Sequence, residues 1–567
     1  MNDLFSKISI VITVFLFLDT VNAEKYVVNS QQSFQNAHDD AGVNDSIIWE
    51  TGTFSDIYMI VDKDNLYIGS ETLGSTIFNG ASRIRVNSDF VTLEGVQYIG
   101  GNIGTNDIIN IYGSNNLFTQ INIDRYTCYK YLRIREQCQY VSVTYCNFEN
   151  RLNLADQNIL SILVDANNPG YHKVQYCSFK NIDGTGNDLG IEPIRIGLST
   201  QADRNSRSLV EYCYFTQCNG DGELISSKSS QNVYRYNTFE NNPLAELVLR
   251  HGSQNIVYSN FFLNGKGGVR IREGQNHYIY NNYFYELDDR PLFIQNESSD
   301  PLDNINIAFN AIIECDEVRL GGTGSNKPTN VTFSNNIFVD PDDSLFEDPT
   351  NTETWIGNIT KGSLGIPIPS SGLNPGDPNL VENSKGFFGL EASSPAINNA
   401  SSGYLELPQF EGMDPIDSEI LFDLMKENRP ASIAEKDIGC SEFPHNIMIQ
   451  PMATEDNTGP IYLQPPVTSI RENGIIVDDL FTFSPNPVES QILINLDHSK
   501  NAEIIVDILN FQGQTVKSLF DDVLPAGEHE ITEDMTGLPS GAYFISMKSR
   551  NIGTGILKLQ TSSFIKL

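Results

Sequence analysis

The sequence has 567 residues, with 72 Asp and Glu against 36 Lys and Arg, so the formal net charge is -36. A chain of this length is expected to form more than one domain. It lacks the overall basic character that nucleic-acid binding requires, which excludes nucleic acid as the main partner. An acidic protein can still hold an anionic polymer, but only in a local basic groove.

Residues 1–23 have the features of a secretory signal peptide. Lys7 precedes an apolar run, residues 8–18, and Val21-Asn22-Ala23 is an acceptable cleavage site. The run is too short to span a bilayer comfortably. We therefore predict export. We also expect few or no disulfides, because the eight cysteines show no framework spacing.

A four-residue phrase recurs along the chain and always ends in Phe or Ile. Successive copies end between 22 and 36 residues apart, which is typical of a solenoid. Alternating, strand-like segments precede the copies, and Gly, Asn, Ser and Asp fill the intervals. This pattern predicts an all-β fold, a right-handed parallel β-helix over residues 24–445, with coils ~4.8 Å apart. The copies read YCNF, YCSF, YCYF, YNTF, SNFF, NNYF, FNAI and NNIF.

The second position of the phrase is Cys in the first three copies and Asn in the other five. Identical residues one coil apart stack, so the asparagines are expected to form a hydrogen-bonded ladder along the axis. The Phe or Ile that ends each copy predicts an internal apolar stack. The second-position residues are Cys146, Cys177, Cys213, Asn237, Asn260, Asn282, Asn310 and Asn336.

The chain changes character after the repeat region. Residues 446–477 contain several prolines and are predicted to be a linker. Residues 478–567 contain alternating strands, which predict a small antiparallel β-sandwich.

Residues 219–284 concentrate charged groups that suit chemistry on a uronic-acid polymer. Lys228 and Arg250 are 22 residues apart, one coil in this region, so we predict that they are neighbours along the axis, and Arg272 extends the series. A guanidinium beside an ammonium lowers the pKa of the lysine, which makes Lys228 a plausible general base. Asp221 and Glu223 would line the same groove.

The same stretch resembles polysaccharide lyase family 6, which includes alginate lyases and chondroitinase B. The family phrase of acid-x-Glu followed by Lys-Ser corresponds to residues 221–229, and Leu-Arg-His-Gly corresponds to residues 249–252. Gly-Gly-apolar-Arg-Ile corresponds to residues 267–271, and Glu192-Pro193-Ile194-Arg195 also fits. The resemblance implies a lyase with Lys228 as Brønsted base and Arg250 as acid. The implied substrate contacts are Arg195, His251, Arg270, Arg272, His277 and Arg290.

The resemblance also raises the question of calcium, which this family often binds through an asparagine and two acids. Leu189 stands at the asparagine position, and the first acid is Asp221 rather than Glu. Calcium usually requires six or more oxygen ligands. Asp221 and Glu223 are therefore expected either to hold a weakly bound ion or to orient Lys228.

The C-terminal segment resembles the sorting domain of the type IX secretion system. It carries Pro485-Asn486-Pro487, then Pro539-Ser540-Gly541-Ala542-Tyr543, and ends in a strand that contains lysine. This resemblance implies a secreted or cell-surface protein of a Gram-negative bacterium that uses the type IX secretion machinery.

Four functions remain open at the level of sequence. The first is cleavage of a uronic-acid polymer, alginate above all, by β-elimination. The second is the same reaction on dermatan or chondroitin sulfate, which needs further basic groups for the sulfates. The third is a β-helix C5-epimerase, which abstracts the same proton but returns one to the other face. The fourth is a noncatalytic surface protein that binds polysaccharide.

Overall fold

The computed structural model describes most of the chain in detail. The described residues are 23–152, 157–184, 190–416, 421–445, 449–465, 471–472, 475–476, 481–484, 488, 490–498, 501–510, 515–539, 541–551 and 557–566. Most of the predicted signal peptide, together with Leu189, lies outside them. Contacts divide the chain into two compact units, residues 1–464 and 465–567.

The first unit is a parallel β-helix, which confirms the predicted all-β solenoid. Its strands form three parallel sheets, here called A, B and C, and each coil passes through them in that order. Apolar side chains on the inward faces of the three sheets form one continuous core. A helix at Gln31–Asp40 packs against the first coil and begins with a Ser30 capping box. Short 3-10 helices lie at Ser199–Gln201 and Ile433–Glu435.

The strand bounds are as follows. Sheet A contains Lys25–Val28, Ser46–Trp49, Tyr67–Ser70, Thr92–Glu94, Leu117–Thr119, Ser142–Thr144, Lys173–Gln175, Leu209–Glu211, Val233–Arg235, Ile256–Tyr258, Gly274–Tyr280, Leu302–Ala308, Thr329–Ser334 and Thr354–Ile356. Sheet B contains Gly52–Ser55, Thr76–Gly80, Val96–Gly101, Asn122–Asp124, Asn147–Glu149, Ser178–Ile182, Tyr214–Cys218, Thr238–Glu240, Phe261–Gly265, Tyr283–Leu287, Ala311–Ile313, Ile337–Ser344, Asn358–Ser363 and Leu373–Pro375. Sheet C contains Tyr58–Val61, Arg83–Val86, Ile109–Ile111, Leu132–Ile134, Leu160–Ile162, Ile194–Ile196, Glu223–Lys228, Glu246–His251, Val269–Ile271, Leu292–Ile294, Val318–Arg319 and Phe346–Glu347.

The recurring phrase marks the corner between sheets A and B. Its first residue takes a left-handed conformation, as at Tyr236 with φ 57°, and turns the chain from one sheet to the next. The predicted asparagine ladder is confirmed. The side-chain amide of Asn260 donates to Asn282 at 3.0 Å, and that of Asn282 donates to Asn310 at 3.0 Å. The phenylalanines stack beside it, with 4.8 Å between the rings of Phe262 and Phe284.

Two further features of the first unit are its buried cysteines and its last segment, residues 449–464. All eight cysteines are buried free thiols. Residues 449–464 belong to the first unit, where the backbone N–H of Gly459 donates to Tyr176 at 2.8 Å. Residues 449–464 of the predicted linker, which was expected over residues 446–477, therefore pack on the solenoid. A hairpin of Leu380–Glu382 and Phe388–Leu390 lies in the same unit.

The second unit contains two antiparallel sheets that share one apolar core, as expected of a sandwich. One sheet holds Phe481–Ser484, Gln491–His498 and Gly527–Asp534. The other holds Thr515–Leu524, Ala502–Leu509, Gly541–Asn551 and Leu557–Lys566, and a short pair joins Arg471–Glu472 to Ile475–Ile476. Within the described residues of both units, no helix is long and apolar enough to span a membrane.

Candidate active site

One row of residues runs along the outer face of sheet C and contains two of the predicted site residues, Arg195 and Arg270. Inward-facing neighbours such as Ile194 and Ile196 are fully buried, whereas the alternating residues point outward. Strand pairing places one outward residue from each coil in register. In axial order the row is Arg85, Asn110, Arg133, Ser161, Arg195, Ser226, Val248, Arg270, Phe293, Arg319 and Glu347.

The row is irregular where Lys228 lies. The pairing of strand Glu223–Lys228 with strand Glu246–His251 shifts twice, once after Glu223 and once between Ser227 and Lys228. The second shift pairs Lys228 with His251, so Arg250, which was predicted to be the neighbour of Lys228 along the axis, lies on the adjacent coil but one residue out of register. A bulge of this kind adds a residue to one strand and re-aims the side chains around it. Equal spacing in the sequence carries no sign of it.

Two buried acids anchor the cations of this centre, and a third buried acid binds backbone N–H groups. Arg250 forms an ion pair with Glu223 through Nη1 and Oε1. Arg195 binds Glu192 with two nitrogens, at 2.7 to 3.0 Å. Asp221 accepts hydrogen bonds from the backbone N–H of Gly190 at 2.5 Å and from that of Glu223 at 3.2 Å. All three acids are at most 6% exposed, and Glu192 and Glu223 fix the positions of the two arginines.

Lys228 is half-buried between these groups. Burial lowers the pKa of its ammonium, and the Arg195 guanidinium lowers it further. Glu192 and Glu223 oppose the shift, and Arg250 adds a smaller lowering effect. The surroundings of Lys228 therefore favour the expected direction of the pKa change, but Arg195 contributes more to it than Arg250. A lysine held in this way can lose its proton more readily than a solvated one.

The two predicted histidines have different surroundings. His251 Nδ1 lies against the buried carboxylate of Glu273. Burial favours the neutral form of Glu273, but hydrogen bonds from His251 and Ser298 outweigh it and lower the pKa of that carboxyl. His277 is fully buried, with Nε2 near the Glu273 carbonyl at 3.1 Å and Nδ1 accepting the backbone N–H of Asn255 at 3.3 Å. Burial lowers the pKa of His277 to about 4. The structure therefore places His251 at the groove surface and His277 inside the fold.

The Leu-Arg-His-Gly motif ends in Gly252 because the backbone conformation and the close neighbouring coil require a glycine. Gly252 has φ 85°, a conformation that favours glycine, and a Cβ at this position would lie 2.4 Å from the backbone of Ser229. The coils approach each other closely here, directly after Lys228 and His251. Their packing keeps the two side chains on neighbouring coils in a fixed relation.

The remaining predicted arginines lie on the following coils. Arg270 and Arg272 share Glu297, with Arg272 Nε 2.9 Å from its Oε2. Arg290 binds Glu347 at 2.5 Å and Asp289 at 2.6 Å. The guanidinium groups of Arg270 and Arg290 also lie over the ring of Phe293, at 4.8 and 4.9 Å. The residues that form these ion pairs are Arg270, Arg272, Arg290, Asp289, Glu297 and Glu347.

The described residues do not fit a calcium ion at Asp221 and Glu223. Asp221 accepts two backbone hydrogen bonds, and one oxygen of Glu223 is paired with Arg250. The other, Oε2, is buried without a hydrogen-bond partner in the described part of the chain. A single open carboxylate oxygen is far from the six to eight oxygens that calcium takes. Leu189, on which the expectation rested, lies outside the described residues.

Sequence analysis missed several carboxylates of this face. Glu273 lies 22 residues after His251, which is the local coil length, so the repeat could have revealed it. Glu246 pairs in register with Glu223 and is 1% exposed. Burial raises the pKa of Glu246 to about 7, although Lys266 and Arg270 work against the shift. Some counter-charges of the groove, such as Glu273 and Glu246, thus come from positions that no motif names.

The fold and the charged groove define this chain as a β-helix of the polysaccharide lyase type. The family profile described as Chondroitinase B matches residues 28–316, just over half of the chain. The chain therefore belongs to the chondroitinase B family. A second profile, the secretion system C-terminal sorting domain, matches residues 482–559.

Solved structures support the same fold. The PL6-family alginate lyase AlyGC is 22% identical, with a TM-score of 0.59, over 65% of this chain and 55% of that chain. A mannuronic acid specific family 6 lyase from human gut microbiota is 22% identical, with a TM-score of 0.55, over 62% of this chain and 91% of that one. A PL6 alginate lyase in complex with a trisaccharide is 16% identical, with a TM-score of 0.54, over 66% and 92%. No curated protein matched the sequence.

Proposed function

We propose that this protein is a secreted lyase that cleaves a uronic-acid polymer, alginate, by β-elimination. The observation that carries the proposal is the placement of Lys228. Its ammonium has a lowered pKa and lies on the outer face of sheet C, among Arg195 and Arg250, which buried acids hold in place. A general base is most effective when its pKa lies near the working pH.

The reaction requires a base, an acid and charge neutralisation. Neutral Lys228 removes the proton at C5 of the uronate, beside its carboxylate. The electron pair then forms the C4–C5 double bond as the 4-linked oxygen leaves. Because the C5 proton is only weakly acidic beside a charged carboxylate, cationic donors must stabilise the enolate-like intermediate. Arg195 and His251 are the groups of this centre suited to that task.

Arg250 is proposed as the group that protonates the leaving oxygen. A guanidinium is a weak acid, but an alkoxide leaving group is comparably basic, so donation at this stage is not strongly uphill. The ion pair with Glu223 keeps the guanidinium oriented. A lysine at this position would lack the planar fork that the pairing uses.

The charge balance of the groove favours alginate over a sulfated polymer. The arginines of the described groove are offset by carboxylates, including Glu192, Glu223, Glu297 and Glu347. One carboxylate per sugar can be held with few uncompensated cations, whereas dermatan and chondroitin sulfates carry an additional sulfate. Two of the structural neighbours named above are alginate lyases.

Calcium is not assigned a step in this mechanism. The open oxygens at Asp221 and Glu223 are too few, and the arginines already supply positive charge at that point. We propose that Asp221 orients the turn that carries Glu223, and that the ion, if added, binds weakly.

The experiment that tests the function is a substrate panel. Polymannuronate, polyguluronate and dermatan sulfate are incubated with the protein, and the ultraviolet absorbance of the new double bond is followed. We expect a rise with one or both alginate blocks and little with dermatan sulfate. A dermatan-only rise would assign the sulfated substrate instead. Proton exchange at C5 without absorbance would indicate an epimerase, and binding without either change would indicate a noncatalytic protein.

The sorting domain leads to a proposal about location. We propose that the second unit directs the protein through type IX secretion to the medium or cell surface of a Gram-negative bacterium. Deletion of residues 465–567 should leave the elimination rate unchanged, because the groove residues all lie in the first unit. In a type IX-competent host the truncated protein should stay in the periplasm. Normal export of it would contradict this assignment.

A further inference from the structure

A second charged pocket lies on the outer face of sheet C, away from Lys228. It has a volume of about 320 Å³ and is formed by strands Ile109–Ile111 and Leu132–Ile134 and the loops beside them. Arg133 of this pocket belongs to the same outward row as Arg195, two coils earlier. Its lining residues are Thr105, Asn106, Asp107, Asn110, Tyr129, Arg133, Arg135 and Gln157.

The cations of the pocket are only loosely neutralised. Asp107 Oδ2 lies 3.8 Å from Arg133 Nη1 and 3.5 Å from Arg135 Nη2, longer than a charge-assisted hydrogen bond. Asp107 is 6% exposed, and its Oδ1 is buried with no hydrogen-bond partner among the described residues. Arg133 Nε is likewise buried and without a partner there. A buried polar atom without a partner costs free energy unless a ligand or water satisfies it.

The pocket is positive in a protein that is strongly negative. Arg133, Arg135 and the buried Lys130 outnumber Asp107, and the Tyr129 ring lies beneath two of these cations, 4.6 Å from Lys130 and 5.6 Å from Arg133. Such an arrangement holds the Arg133 guanidinium and the Lys130 ammonium in place with little additional negative charge. Burial raises the pKa of Asp107 against the effect of Arg133, Arg135 and Lys130, which weakens its repulsion of an anion.

We propose that this pocket is a distal subsite that binds a uronate carboxylate of the same polymer that is cut at Lys228. The proposal rests on the proposed function. Three coils separate the strand of Arg133 from that of Lys228, a span of ~14 Å along the axis. A polymer that follows the row can occupy both places at once, but a very short oligomer cannot. The pocket therefore contributes to the binding of long chains and not to the chemical step.

The test compares oligomers of two lengths with charge variants of the pocket. Arg133→Gln and Arg135→Gln each remove one cation while keeping a long side chain. For hexasaccharides and longer chains, each should raise KM about 10-fold with kcat unchanged, the size of one charge-assisted contact. For disaccharides and trisaccharides neither KM nor kcat should change. Equal effects on both lengths, or no effect on KM, would overturn the proposal.

Two further variants separate binding from folding. Asp107→Asn removes the competing carboxylate, so KM for long chains should fall or stay constant even if the melting temperature drops. A purely structural role of the cluster would instead raise KM in all three variants. Arg125→Asn is the matched control. Arg125 is a largely exposed arginine beyond sheet B, and Asn tolerates its φ of 51°.

Direct binding distinguishes failure of this inference from failure of the proposed function. If the wild-type protein shows no β-elimination activity on any polyuronate, the lyase proposal fails. Calorimetry with long polyuronate still measures the affinity of the pocket for the polymer. Weaker binding by Arg133→Gln but not by Arg125→Asn would support the subsite. Identical binding by the two variants, or no binding by the wild type, would rule it out.

Discussion

The corner between sheets A and B and the outer face of sheet C are built from the same coils, yet they differ in every other respect. At the corner one residue type repeats, and Asn237 through Asn336 hydrogen-bond in an unbroken series. On the outer face the residue changes at each coil, and the pairing shifts twice beside Lys228. Repetition stabilises the scaffold, because each copy satisfies the next. The site lies where repetition is interrupted.

The largest effect expected from this contrast is on catalysis. Lys228→Ala should lower the elimination rate by at least ~10²–10⁴, because a positioned base is lost. The β-rich circular dichroism spectrum should not change, since a half-buried lysine contributes little to the core. Lys180→Ala is the control, because Lys180 pairs with Glu455 on another face. Near-wild-type turnover of the Lys228 variant would remove it as the base.

A substitution at the corner between sheets A and B should instead lower stability and leave activity unchanged. Asn282→Ala deletes the group that donates to Val257 and accepts from Asn260, all within the buried ladder. The unpaired groups should lower the free energy of unfolding by about 2–4 kcal/mol. Activity per folded molecule should be retained. Urea unfolding against Asn399→Ala, an exposed asparagine, measures the difference, and equal midpoints would show that the ladder does not stabilise the fold.

The sequence revealed the corner more fully than the face. A phrase that repeats at coil spacing predicts both the solenoid and the ladder, because stacking identical side chains requires only the period. The family motifs brought Asp221, Glu223, Lys228 and Arg250 to one stretch, and the structure places these on adjacent coils. The bulge at Lys228 was not predictable, because it depends on hydrogen bonding between coils.

The burial of individual site side chains was equally hard to predict from the sequence. His277 follows Glu273 by four residues, as a groove histidine might, but it lies in strand Gly274–Tyr280 of sheet A and its ring is buried. The counter-charges Glu246 and Glu297 lack motif context, and their role depends on which arginine the neighbouring coil presents. Periodicity alone gives position along the axis, but not the direction of a side chain at a corner.

Glu246, on the outer face of sheet C, is expected to make the stability of the fold depend on pH. Its pKa is raised from 4.5 to about 7 by burial, so the folded state holds this proton more tightly than the unfolded state. Stability should therefore fall as pH rises from about 4.5 to 7, because only the unfolded state releases the proton easily. Glu246→Gln should remove this loss, on the order of 2–3 kcal/mol at pH above 7 and none at low pH. Thermal melts across this range would measure it, and a pH-independent difference would contradict the cause.

The smallest effect is expected from removal of metal ions. Exhaustive EDTA treatment should leave the elimination rate within about twofold, because most oxygens of the described acids near Lys228 bind arginines or backbone donors, and the open Oε2 of Glu223 cannot supply six oxygens alone. Magnesium titration controls for ionic strength. Complete loss with saturable recovery by calcium would mean that residues 185–189 supply the missing ligands.

The row on sheet C also has an evolutionary consequence. Each position comes from a separate coil, whose strands pair only with those of the coil before and the coil after it. Duplication or deletion of one coil would therefore lengthen or shorten the cleft by a single step without rebuilding the rest. Substrate length preference in such a molecule can drift coil by coil, while the base and its arginines stay unchanged.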